Sequence, residues 1–173
     1  MGEKRKKFLT NLFLELAISL LIAFIFISHI AQAFKVEGSS MEPLIKNDER
    51  VIVNKLIYKF SKIKRGDVVV FWYPYNPKKS FIKRVIGLPN EIIEIRDGNI
   101  YINSKKINEP YIKEPFRSHE NMEPISIPSG FYFVLGDHRN SSNDSRVGWL
   151  VPEKYIYGKA LLIYWPLGKF REI

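Results

Sequence analysis

The sequence predicts a mainly β fold, a curled and barrel-like antiparallel sheet, preceded by one N-terminal transmembrane helix. Three observations carry this. Leu12 to Phe34 is apolar apart from Glu15, Ser19, Ser28, His29 and Gln32, and as a helix it spans ~34 Å at ~1.5 Å per residue, enough to cross a bilayer. Beyond Phe34 the apolar residues no longer recur at helical spacing and fall into short β-branched and aromatic runs separated by turn residues. Asp97-Gly98 stands between two of those runs, and glycine accepts the positive φ that a tight primed hairpin turn requires.

Residues 1–10 contain Lys4, Arg5, Lys6 and Lys7, a basic cluster with no matching run after the apolar stretch. Positive charge of this kind is retained in the cytoplasm during insertion. The predicted organisation is therefore a cytoplasmic N-terminus at 1–10, a transmembrane signal-anchor at 11–34 in the plasma membrane, and an extracytoplasmic β-rich domain at 35–173. Glu15 is near the N-terminal end of the span, where its carboxylate reaches the interface. Ala31-Gln32-Ala33 keeps a second reading open, since it has the small-x-small pattern of a cleaved secretory signal. The apolar stretch exceeds the usual length of a signal core, which favours a retained anchor.

The predicted strands are Arg50 to Asn54, Asp67 to Trp72, Phe81 to Ile86, Glu91 to Arg96, Asn99 to Ile102, Phe131 to Leu135 and Lys159 to Trp165. Asn103-Ser104 is a weaker turn signal than Asp97-Gly98. Residues 109–130 hold Pro110, Pro115, Pro124 and Pro128 with few apolar side chains, which predicts a long loop or a small excursion from the sheet. The aromatic run Phe71, Trp72, Tyr73 and Tyr75 suits either core packing or contact with the lipid interface.

A chain of 173 residues has room for the anchor and one ordinary domain. With no cysteine it has neither disulfides nor thiolate metal sites. The net charge of +9 is spread among the strand-like segments without a recognisable nucleic-acid module, and its densest cluster abuts the apolar stretch. Membrane lipid is the expected partner, and no nucleic acid.

Three segments carry the chemistry: Gly38-Ser39-Ser40-Met41-Glu42-Pro43, Phe81-Ile82-Lys83-Arg84-Val85-Ile86-Gly87-Leu88-Pro89, and Gly136-Asp137-His138-Arg139-Asn140-Ser141-Ser142-Asn143-Asp144-Ser145-Arg146. In this order and behind an N-terminal anchor, they resemble the bacterial type I signal peptidases, membrane-bound serine endopeptidases with a Ser/Lys dyad. The resemblance runs from the anchor to about Pro166.

It implies that Ser40, which directly precedes Met41, is the nucleophile and Lys83 its base. A serine hydroxyl needs a base to take its proton, and lysine serves only when neutral. With a pKa of about 10.4, roughly 0.04% of a free lysine is unprotonated at pH 7. Lowering that pKa by about three disfavours the ammonium by ~4 kcal/mol, which demands apolar surroundings. Strand alternation puts Phe81 and Val85 on the face of Lys83 and turns Arg84 to the other.

The resemblance further implies that the Ser142 hydroxyl holds the Lys83 amine, and that Asp137, Asp144 and Arg146 form bracing charge pairs involving Arg84. The Ser40 N–H would be one oxyanion-hole donor. Some members supply a second donor as a hydroxyl two residues earlier; here that position is Gly38, so the second donor is a backbone N–H or a water. Leu44 departs from the Thr usual after the Pro. His138 raises the alternative of a Ser-His-Asp triad, but in the family this position is not the base, and it points away from Asp137 on an extended chain.

The substrates implied are signal-peptide-bearing preproteins with small residues at the first and third positions before the cut. Val36, Met41, Ile45, Phe81 and Ile82 match positions lining those pockets. No metal or organic cofactor is implied. Ser40 follows Phe34 by six residues, at most ~20 Å, so the site sits at the membrane surface. Ala31-Gln32-Ala33 matches that substrate pattern and is a candidate self-cleavage site. Two other readings stay open: a Ser/Lys protease that cuts only itself, and a secreted β-barrel binding module whose signal is removed.

Overall fold

The apolar N-terminal stretch forms helix α1, Gly2–Ile30, in the computed structural model, which describes residues 2–112 and 120–173. At ~1.5 Å per residue its length is ample for a bilayer, and the 20 residues Arg5–Phe24 are long and apolar enough to span one. The helix stops four residues short of the predicted Phe34. Ala31–Lys35 instead forms strand β1, its register running from Ala31 opposite Asn54 to Lys35 opposite Arg50 of β2, Arg50–Asn54. These residues leave the helix because the ladder satisfies their backbone groups and buries Phe34 against Tyr157, ring centroids 5.9 Å apart.

A single helical turn, α2 at Ile57–Phe60, follows. The remaining strands are β3 Val68–Tyr73, β4 Asn76–Gly87, β5 Ile92–Arg96, β6 Asn99–Ile102, β7 Lys105–Lys106, β8 Met122–Ser126, β9 Phe131–Leu135, β10 Val151–Pro152, β11 Ile156–Trp165 and β12 Arg171–Glu172. They form two antiparallel sheets. The larger has the order β1-β2-β11-β3-β4-β9-β10 with β12 on β11, and the smaller β7-β6-β5-β8.

The mainly β body behind one apolar helix is thus present, but as two sheets instead of one curled barrel. Among the described residues β1 and β10 are opposite edges that do not pair, so the larger sheet does not close. The division has a packing cause. Ile86, Phe133 and Leu135 of the larger sheet share a buried cluster with Ile93, Ile95, Ile100 and Ile102 of the smaller one, which covers part of the larger sheet.

The Asp97-Gly98 turn joins β5 to β6 with φ of 48° and 70°, and Asn103-Ser104 joins β6 to β7 with φ of 48° and 65°, both as the primed geometry demands. The predicted excursion at 109–130 is not all loop, because β8 pairs with β5. Its Pro124 is tolerated on what is an edge strand of the smaller sheet. Pro115 lies outside the described residues.

Candidate active site

The first segment leaves β1 and turns sharply. Glu42 N–H donates to Ser39 O (3.0 Å) and Ile45 N–H to Met41 O (2.9 Å), while Met41 and Ile45 are buried beneath the turn with Val36, Val51 and Val68. Ser40 is thereby lifted toward β4. Its carbonyl accepts from His138 N–H (3.1 Å), which ties the turn to the loop after β9.

Lys83 lies within β4, paired with Val69 of β3, and is only 4% exposed. Its Nζ is 2.6 Å from Ser40 Oγ and 3.0 Å from Ile82 O. Phe81, two residues back on the same face, places its ring centroid 5.3 Å from that nitrogen. Burial drives the Lys83 pKa from 10.5 down to about 8, against the opposing pull of Asp144 and Asp137. Desolvation disfavours the ammonium more than the two carboxylates favour it.

Both residues open onto a cleft of about 390 Å³. Its apolar lining includes Phe34, Val36, Val51, Val70 and Ile82. One wall is the chain leaving β1, the other the outer part of β4. A cleft of mixed polar and apolar lining, with a hydroxyl and an amine in contact at one point, can hold an extended peptide and attack one carbonyl in it.

Residues 9–165 match the family described as "Signal peptidase, peptidase S26". The chain belongs to this signal peptidase family. It is 35% identical over 183 residues to signal peptidase I T of Bacillus subtilis, covering 98% of this chain and 94% of that one. Signal peptidase IB of Staphylococcus aureus is also 35% identical over 183 residues, with 96% and 95% covered. A crystal structure of a signal peptidase I from Enterococcus faecalis aligns with a TM-score of 0.52 at 31% identity, covering 57% of this chain and 97% of that one.

The bracing residues of this signal peptidase family member divide into two pairs. Arg84 Nε and Nη2 donate to the two oxygens of Asp137 at 2.8 and 2.6 Å, both side chains buried, and Arg84 Nη1 reaches Gly66 O at 2.9 Å. Arg146 donates from Nε and Nη2 to Asp144 at 2.8 and 3.0 Å, and Asp144 also accepts from Gly136 N–H at 3.1 Å. The ion pair of Arg84 is thus with Asp137 and that of Arg146 with Asp144, so the two are separate. On the face opposite Lys83, Arg84 links β4 to the loop that holds the Ser40 carbonyl.

Three expectations differ from what is observed. The Ser142 hydroxyl is buried but makes no hydrogen bond among the described residues; it faces Gly136, where an added Cβ would lie 2.2 Å from Ser142 Oγ and 2.4 Å from Ser40 O. Lys83 is held by Ser40 and the Ile82 carbonyl instead. The Gly38 N–H donates to Asn47 Oδ1 at 2.7 Å, so it is already engaged, whereas the Ser40 N–H makes no hydrogen bond among the described residues. Val36, Phe81 and Ile82 line the cleft, but Met41 and Ile45 do not; the fold uses them as core under the Ser40 turn.

The aromatic run also separates. Phe71 is core, Tyr73 stacks on Phe81 with centroids 4.4 Å apart, and Trp72 and Tyr75 are exposed. Leu44 packs beside the cluster under the turn, and its carbonyl accepts from Arg171 at 2.6 Å. Ala31-Gln32-Ala33 is committed to the β1–β2 ladder, Ala33 opposite Ile52.

A further layer lies behind the two arginine–aspartate pairs, and sequence reasoning missed it. Arg139, 1% exposed, forks onto Glu109 at 2.5 and 2.6 Å and caps Gly136 O at 3.0 Å. Tyr111 donates its hydroxyl to the same Glu109 at 2.7 Å, and Glu120 pairs with Arg146. An arginine in a loop otherwise rich in Asp, Asn and Ser was the one available signal, since a buried guanidinium requires a carboxylate from elsewhere in the chain.

Proposed function

We propose that Ser40 and Lys83 are the catalytic dyad with which this chain removes signal peptides from secreted precursors. The observation that carries the reading is the 2.6 Å separation between Ser40 Oγ and a lysine nitrogen sheltered from water. As Oγ attacks the scissile carbonyl, neutral Lys83 takes its proton, and the Ser40 N–H faces the developing oxyanion. Lys83 then protonates the departing amine, leaving the signal peptide as an ester on Ser40. A water deprotonated by Lys83 releases it. The apolar cleft around Val36, Phe81 and Ile82 accepts the residues before the cut, and its limited volume favours small side chains.

The protein is anchored in the membrane, and we assign the sides from the charge of the N-terminus. Arg5, Lys6 and Lys7 stay in the cytoplasm, α1 crosses the plasma membrane, and residues from 31 onward face outward. Lipid is then a constant neighbour of the domain.

The decisive experiment is preprotein cleavage in trans by the full chain in detergent micelles. Ser40→Ala and Lys83→Ala are expected to abolish processing and His138→Ala to retain it. Loss in His138→Ala with retention in Lys83→Ala would reverse the assignment of the base.

A further inference from the structure

The segment from Lys55 to Lys64 has no part in the cleft, yet it is built with care. It begins at the membrane helix itself: Lys55 N–H donates to the carbonyl of Ile30, the last residue of α1, at 2.8 Å. Asn54 Oδ1 accepts from the N–H groups of Leu56 and Ile57 at 2.9 and 3.1 Å. Tyr58 donates its hydroxyl to Asp67 Oδ2 at 3.0 Å, the Lys64 N–H donates to the same oxygen at 2.9 Å, and Ile63 is buried in the core. The backbone is pinned at both ends and in the middle, so what projects from it is held in place.

Two kinds of side chain project. Phe60 is 86% exposed, the most exposed large apolar side chain among the described residues. Around it stand Lys55, Lys59, Lys62 and Lys64, with no acidic residue in the segment. Among the described residues none of the four forms an ion pair; the nearby carboxylates Asp67 and Glu91 are engaged by Lys159 and Arg65. An aromatic ring amid unpaired lysines, adjoining the end of a transmembrane helix, has the chemistry of a surface that meets anionic headgroups and seats a ring at the acyl boundary.

We propose that Lys55–Lys64 is a lipid-docking segment that holds the catalytic domain against an anionic bilayer surface, Phe60 entering the interface and the four lysines contacting headgroup phosphates. These lysines do not oppose the insertion direction set by Arg5 to Lys7. Orientation is decided by charges close in sequence to the span, and folding brings residues 55–64 to the membrane only after export. Each lysine at an anionic surface contributes about fivefold to partition, so four act as a switch on lipid composition. The inference rests on α1 spanning the bilayer.

The absence of native cysteine gives a clean test. The full chain carrying Phe60→Cys, labelled with a polarity-sensitive thiol probe, is reconstituted in vesicles of phosphatidylcholine alone and of phosphatidylcholine with increasing phosphatidylglycerol. The expected result is probe emission that shifts to the blue as the anionic fraction rises. The shift should be lost when all four lysines are replaced by Gln, and weakened in 1 M salt, where the Debye length is about 3 Å. Resistance to carbonate extraction should be unchanged in every variant. Water-like emission at all compositions from a carbonate-resistant protein would overturn the proposal alone. Extraction by carbonate would overturn the anchor and the proposal together. Selective loss of processing of a precursor with an acidic mature region in the four-Gln variant, with water-like emission throughout, would assign the face to substrate instead.

Discussion

The guanidinium carbon of Arg84 lies 4.0 Å from the centroid of the Tyr111 ring. Arg84 is thus covered by Tyr111 and forked onto Asp137, while Tyr111 is held by Glu109, which also pairs with the buried Arg139. The strand carrying Lys83 and the loop touching Ser40 are locked to each other through a residue of the smaller sheet's excursion. Tyr111→Ala should lower kcat on a preprotein by about fivefold to thirtyfold, the size of a partly desolvated cation–π contact. Tyr111→Phe keeps the ring and should lose far less.

Proton uptake by Lys83 should govern the acid side of catalysis. With its pKa at about 8, roughly a tenth of the side chain is neutral at pH 7. The kcat/KM of the free enzyme should rise with pH to a plateau above an apparent pKa of about 8. Asp137 holds that pKa up, so Asp137→Asn should move the acid limb to lower pH. It should also lower stability by about 3–5 kcal/mol, because Arg84 is left buried without its partner. A pH–rate profile paired with denaturant unfolding checks both.

The same burial makes Lys83 a liability to the fold. Its pKa is lower in the folded chain, about 8, than the 10.5 of the free side chain. The unfolded state therefore binds more protons between these values, and stability rises with pH across that window. Below pH 8 the full penalty applies, about 3 kcal/mol. Lys83→Met should be inactive yet more stable than the parent at pH 7, by up to that amount, with the difference vanishing above pH 10.5. Denaturant midpoints at the two pH values test this.

Gly136 permits the loop to touch the nucleophile turn. A methyl group there meets the Ser40 carbonyl at 2.4 Å, closer than atoms can stand, and must displace the backbone of Ser40. Gly136→Ala is expected to lower kcat by about a hundredfold or more, since misplacement by 1 Å has that effect. A circular dichroism spectrum matching the parent would show that the fold is kept.

Much of the fold was legible where local chemistry decides it. Arg50–Asn54, Asn99–Ile102 and Phe131–Leu135 occur as predicted, and both hairpin turns have the backbone their residues require. β1 was hidden because Ala-Gln-Ala-Phe reads as the tail of an apolar helix, and only pairing with β2 distinguishes it. β8 was hidden by Pro124, which is acceptable only on an edge. At the site, Ser40 and Lys83 could be named only through the family resemblance of the segments that carry them, and the fold brings their side chains to 2.6 Å. Glu109, Tyr111 and Arg139 could not, because contacts across some thirty residues leave no spacing to read. Met41 and Ile45 show the opposite hazard, apolar residues beside Ser40 that the fold buries in the core and not in the cleft lining.

The junction at Ile30 has no slack. Helix passes into β1 without a linker, β1 is zipped to β2 along its length, and the next few residues form a wall of the cleft. The Ser40–Lys83 pair is therefore mounted at a fixed distance from the end of α1, and we expect the spacing between a signal's apolar core and its small residues to count in recognition.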